Sequence, residues 1–126
     1  MAHMVMPFDI SKVTHIFKMT ETGGVERIVV KEPHDSQQIS LIRRHLAHEA
    51  KKFQHGDYSD PAKIHGADMP GLKGLEAGAS HIEVTYSEVP LGAEITFKTK
   101  DLAALTAIHR WFGAQLWEHG NDARPE

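Results

Sequence analysis

The chain runs twice through the same order of signals: strand, tight turn, strand, helix. That order constrains the fold more than any other feature of the sequence. Val13 to Thr20 is rich in β-formers and reads as a strand. Glu21-Thr22-Gly23-Gly24 is a turn signal, because glycine accepts positive φ, and Val25 to Lys31 reads as the return strand. Pro33 breaks that strand. Asp35 or Ser36 then caps a helix that runs to about His55, where Gly56 stops it. His81 to Tyr86 alternates, with Ile82, Val84 and Tyr86 on one face and His81, Glu83 and Thr85 on the other. Pro90 to Gly92 turns the chain, Ala93 to Thr99 forms a fourth strand, and Asp101 caps a last helix ending near His119-Gly120.

The two passes also match as sequence. Thr14-His15-Ile16 aligns with Ser80-His81-Ile82, an offset of 81 − 15 = 66. The same offset pairs Ile39 with Leu105, Ile42 with Ile108, Leu46 with Phe112, Glu49 with Gln115 and Phe53 with His119. The hairpins do not keep it. The expected fold is α+β: a tandem ββα repeat (ββαββα) forming a four-stranded antiparallel sheet with two helices on one face. A chain of 126 residues, 40% of them hydrophobic, suffices for one domain with its own core. That domain is expected over 7–126, with halves at about 13–55 and 80–120 joined by a long loop, 56–79. Residues 1–6 read as a cloning scar and loose start, so His3 enters no argument.

Helical spacing puts Ile39, Ile42, Leu46, Ala50 and Phe53 on one face of the first helix, and Glu49 lies on that face too. In the last helix Leu105, Ile108, Phe112 and Leu116 make the stripe. His109, Gln115 and His119 lie on or beside it, and Trp111 and Trp117 flank it. The connecting loop is long for a compact domain, and its Ile64, Met69, Leu72 and Leu75 argue that it packs on something. Pro70 to Ala77 reads as a short helix capped by Asp68. The open sheet face, with Phe17 and Met19 as part of its apolar surface, needs either this loop or a second subunit as cover. A homodimer is one reading of it.

Ten histidines and no cysteine set the available chemistry. Disulfides, thiolate nucleophiles and cysteine-ligated metals are excluded, leaving nitrogen, oxygen and thioether ligands. A net charge of −3, with basic residues scattered among acids, argues against nucleic acid. No apolar run approaches the roughly 18 residues of a spanning helix, which argues against membrane insertion. There is no G-x-S-x-G, phosphate-binding glycine loop or H-E-x-x-H, so no enzyme class is indicated.

Three groups stand out. His65 and Met69 sit in Ile64-His65-Gly66-Ala67-Asp68-Met69-Pro70-Gly71, and imidazole with thioether suits copper or haem iron. Alternatively, Met69 fills a core gap and His65 bonds the backbone. His45 and Glu49 form an i,i+4 pair, and a carboxylate on an apolar face must be paired, protonated or coordinated. A salt bridge to Arg43 or Arg44 would satisfy it equally, and Arg43 is a weaker candidate for anion binding. His109 and His119 share a face, but ten residues is roughly 15 Å along a helix, too far for one metal. His15 and His81 open equivalent strands, either as neighbours or as a solvent-facing pair. His34, His48 and His55 read as surface residues.

The runs Thr14-His15-Ile16-Phe17, Gly56-Asp57-Tyr58-Ser59-Asp60-Pro61-Ala62, Ile64-His65-Gly66-Ala67-Asp68-Met69-Pro70-Gly71-Leu72 and Ala107-Ile108-His109-Arg110-Trp111-Phe112 resemble a family of small bacterial proteins. The resemblance covers nearly the whole chain after Met6. Members resemble exported proteins with a cleaved signal, and many bear the label aspartate carbamoyltransferase. The label does not fit this chain, which lacks both the two α/β domains and the Ser-Thr-Arg-Thr carbamoyl-phosphate run of that enzyme's catalytic subunit. The resemblance implies export and assigns no catalytic residue.

The expected function is that of an exported metal-binding protein, periplasmic or secreted, for copper or zinc. Its candidate metal residues are His65, Met69, His45, Glu49, His109 and His119. One alternative is a small-molecule-binding protein or enzyme with a Glu/His acid–base pair. Another is a haem-binding protein.

Overall fold

The structure, a computed structural model, describes residues 7–126. Strands β1 (Val13–Thr20) and β2 (Gly23–Val30) form the first hairpin, and helix α1 (Ser36–Gln54) follows. Helices α2 (Ser59–His65) and α3 (Leu72–Ala77) occupy the connector. Strands β3 (Ile82–Val89) and β4 (Gly92–Thr99) form the second hairpin, followed by α4 (Leu102–His119) and a two-residue strand β5 (Ala123–Arg124). The scar expected over residues 1–6, His3 included, lies outside the described residues.

The class is α+β, but the sheet has five strands and is mixed. Its order is β3-β4-β2-β1-β5. The two hairpins meet through an antiparallel β2–β4 pair, and β5 runs parallel to β1 with His15 opposite Ala123. The four-stranded, wholly antiparallel sheet expected from the sequence is thus corrected. The last two paired residues follow Gly120-Asn121-Asp122, and nothing in their types marks a strand. The repeat is also less regular than expected. The helices keep the offset of 66, as Ser36 and Leu102 do (102 − 36), but the strand starts Val13 and Ile82 differ by 82 − 13 = 69.

Alternation along β1 turns Val13, His15 and Phe17 toward the helices, and register sets Ile28 opposite His15 and Glu26 opposite Phe17. Ala93, Ile95 and Phe97 of β4 continue this layer, all essentially buried. Helix α1 lies over β3 and β4, and α4 over β1 and β2. Both begin at the expected caps. Asp35 accepts from the Gln38 amide at 3.2 Å and Asp101 from the Ala104 amide at 2.9 Å.

The connector also packs on the helical side, not over the open face. Tyr58 stacks on Phe53 with centroids 4.6 Å apart and meets Trp111 edge-on. Gly71, not Asp68, caps α3. It has φ of 83°, and a Cβ there would strike the Ala107 carbonyl and the Trp111 amide, so α3 seats directly on the α4 backbone. Phe17 is on the helical side against Phe112, at 5.6 Å. Met19 has the same parity and is 43% exposed at the rim. Residues of the opposite parity face outward: Lys18 and Thr20 on β1, and the Arg27–Glu94 ion pair at 2.9 Å linking β2 to β4. That face carries enough polar groups to meet water, which removes the need for the loop as cover.

Candidate metal centre

Beneath β1 and β2, between α1, α2 and α4, lies a cavity of about 40 Å³. Four imidazoles reach it: His15 from β1, His45 from α1, His65 from the end of α2 and His119 from the end of α4. Glu26, Glu49 and Gln115 add oxygen atoms. No lysine or arginine lines it. Glu49 with Gln115, and Phe53 with His119, are two of the pairs that match at offset 66, and all four side chains line this one cavity.

The rings form a connected group. His15 stacks on His119 with centroids 4.2 Å apart, and His65 meets His119 edge-on at 5.8 Å. Phe8 closes one side, 6.0 Å from His15 and 5.6 Å from His45.

Part of this polarity is unsatisfied within the protein. Among the described residues, the buried side-chain atoms without a hydrogen-bond partner are both nitrogens of His15, one oxygen each of Glu26, Glu49 and Gln115, the indole nitrogen of Trp111 and the Tyr58 hydroxyl. All but the last belong to residues lining the cavity. Buried polar groups are normally paired, and each unpaired one costs about 1–3 kcal/mol, so their convergence on one void is the outstanding property of the molecule.

Burial drives every titratable group here toward neutrality. It pushes His15 down to about 3, helped by the neighbouring His119 and His45, while an interaction with the Asp122 backbone opposes the shift. His45 and His119 fall to about 4, again chiefly through burial, and His65 is lowered in the same way. Burial raises Glu26 to about 7. It also raises Glu49 to about 9, aided by a hydrogen bond to the Asp60 carboxyl beside it. Asp60 moves the other way, held down first by that bond from Glu49 and also by Lys52 at 3.0 Å. At neutral pH Glu49 is therefore the protonated partner, donating to Asp60. The salt bridge to Arg43 or Arg44 considered for Glu49 does not form. Arg43 donates to the carbonyls of Gly92 and Val89, at 3.0 and 2.7 Å, and so fastens the β3–β4 turn instead of presenting an anion site.

No family model, curated protein or solved structure matches the chain.

Of the residues singled out from the sequence, His45, Glu49, His65 and His119 converge on the cavity. His109 and Met69 do not. The His109 Nε2–H donates to the carbonyls of Thr20 and Gly23, at 2.8 and 3.0 Å, and pins α4 to the first hairpin. Met69 is buried in the core and faces a separate groove between α3 and α4. His15 and His81 are not counterparts: His81 lies in the tight turn just before β3, which β4 and β2 separate from β1, and it is exposed, whereas His15 is 1% exposed.

Sequence reasoning missed His15 and Glu26 as site residues. Both carried a signal. His15 alternates with Val13 and Phe17, and Glu26 alternates with Ile28 and Val30 in an otherwise apolar run. Among the described residues, the three-ligand set whose atoms already stand within 4.8 Å of one another is His48, Glu49 and Asp60, on the outer edge of α1.

Proposed function

We propose that this protein binds a divalent metal ion in the cavity, held by His15, His119 and His65 with Glu49 and Glu26 as oxygen donors. The observation that carries the reading is the convergence of four imidazoles, that of His15 unpartnered, with the unpartnered oxygens of Glu26 and Glu49 on one void with no lysine or arginine in its wall. Neutral imidazoles are ready ligands, and two carboxyls kept protonated by burial in a wall without lysine or arginine favour a cation over an anion. A volume of about 40 Å³ suits an ion with a water or two, because one water needs roughly 10–15 Å³ by the same measure. It is small for an organic substrate and far smaller than a porphyrin, which disfavours the haem alternative. The imidazoles stand further apart than a closed ligand set, so an ion would draw them together by side-chain rotation.

The donor set is nitrogen and oxygen only. With Met69 turned away, the thioether argument for reduced copper lapses, and Zn²⁺ or Cu²⁺ fits the remaining ligands. We read the site as lying where two related ββα halves meet, since pairs at one offset line it from both helices. Export to a periplasmic or extracellular space is proposed from the family resemblance, and a ligand set without thiols suits that setting.

Elemental analysis of protein purified without a histidine tag, followed by calorimetric titration with Zn²⁺ and Cu²⁺, tests the proposal. Binding at micromolar concentration or tighter, lost in His15→Ala and His119→Ala, is expected. A chain that takes up neither ion at those concentrations would falsify it.

A further inference from the structure

We propose that Glu49 is shared with a second, outer cation site completed by His48 and Asp60. This rests on the reading of the cavity as a metal site. Three observations carry it. The ligand atoms of His48, Glu49 and Asp60 lie within 4.8 Å of one another, although they come from two helices. Glu49 is only 6% exposed, and one of its carboxyl oxygens has no hydrogen-bond donor. Outside it, a surface pocket of about 290 Å³ lined by His45, His48, Asp60 and Lys63 abuts the inner cavity, and the two share His45 and Ile64 as walls.

The local geometry explains how neighbours on one helix can serve one ion. Successive helical residues diverge by about 100°, so Glu49 points inward while His48 points to solvent. An ion at the edge of α1 reaches both, and Asp60, in the first turn of α2, closes it from above. One imidazole and two carboxylates leave further positions for water, the arrangement of an exchangeable site for Zn²⁺, Co²⁺ or Ni²⁺. An ion here would displace the proton that Glu49 shares with Asp60. It must also compete with Lys52, whose ammonium lies 3.0 Å from Asp60, and with Lys63 in the same pocket. The outer site is therefore the weaker of the two, and its position makes it the loading station for the inner one.

Calorimetric titration of the full chain with Zn²⁺ reads the two sites separately. Wild type is expected to bind two equivalents, the second more weakly. His48→Ala, at an exposed position, should lose the weak equivalent, keep the tight one and load it more slowly in stopped-flow competition with a chromophoric chelator. His15→Ala should lose the tight equivalent and keep the weak one. A single wild-type equivalent that His15→Ala abolishes and His48→Ala leaves intact overturns the outer site while the inner reading stands. A single equivalent with the opposite pattern overturns the inner reading, and with it the sharing of Glu49 between two sites. No Zn²⁺ uptake by wild type overturns both.

Discussion

His15 and His119 stack at a centroid separation of 4.2 Å, one from the first strand and the other from the last turn of the last helix. Neither nitrogen of His15 has a hydrogen-bond partner, and burial keeps both rings neutral. Such a contact costs stability in the metal-free protein, because a buried polar group without a partner is worse than an apolar one of similar shape. Replacing His15 with leucine is therefore expected to raise metal-free stability, by about 1 kcal/mol, read from urea unfolding. The same variant should lose the rise in Tm expected of wild type with Zn²⁺ under the proposed function. A strongly destabilised variant that still answers to Zn²⁺ would place His15 in the core and outside the site.

The cavity also fixes how metal-free stability depends on pH. Above an ordinary value of 4.5 the unfolded chain has ionised Glu26 and Glu49, while the folded chain keeps their protons up to about 7 and about 9. The folded state then binds more protons, so these two groups make stability fall as pH rises through that window. Below an ordinary value of 6.5 the unfolded chain protonates His15, His45 and His119, which the folded chain resists down to about 3 or 4. Those three make stability fall as pH drops. Between 4.5 and 6.5 the three histidines outweigh the two carboxyls. Above 6.5 only the carboxyls act. Metal-free stability should peak near pH 6.5 and decline on both sides, by about 1.4 kcal/mol per pH unit for each net proton. Chemical unfolding between pH 4 and 9 measures this, and a plateau from 6 to 9 would contradict the buried, protonated Glu49.

Much of the fold was legible because its determinants are local. The caps Asp35 and Asp101, the alternation in β3 and the apolar face of α1 each act within a few residues. What was hidden depends on distant partners. Whether His15 is sealed or solvated is decided by α4 packing over β1, which brings His119 onto it, and no local signal shows that packing. His109 looked like a ligand because its helical phase is right, yet the β1–β2 turn arrives first and takes its proton donor. Glu49 was legible as a conflict, a carboxylate on an apolar face, but its resolution through Asp60 required knowing where α2 lies. The expected equivalence of His15 and His81 failed by a shift in register. The strands are offset by 69, three more than the helices, so the counterpart of His15 is Val84 (15 + 69), and His81 falls in the tight helical turn before β3.

Two residues read from the sequence as metal candidates serve as controls. His109→Leu removes the donor shared by the Thr20 and Gly23 carbonyls and should cost about 1–3 kcal/mol of stability. Met69→Leu nearly conserves volume in the core and should cost less than about 1.5 kcal/mol. Both should keep wild-type Zn²⁺ affinity after correction for any unfolded fraction. A tenfold or greater loss of affinity in either folded variant would return that residue to the site.

Metal uptake should release protons from carboxyls and not from imidazoles, the reverse of an ordinary histidine site. The site imidazoles with values of about 3 and about 4 are already neutral at pH 6 and above, so they have no proton to give. Glu49 keeps its proton up to about 9 and Glu26 up to about 7, and a cation beside them would expel both. Zn²⁺ titrations in buffers of differing ionisation enthalpy count the protons directly. About two are expected on filling the tight site at pH 6, declining to about one at pH 8, where Glu26 has already ionised. In Glu49→Gln the count should drop by about one at both pH values, with weaker binding. A count that falls to zero by pH 8 in wild type would mean that Glu49 is already ionised without metal, and the protonated Glu49–Asp60 pair would have to be abandoned.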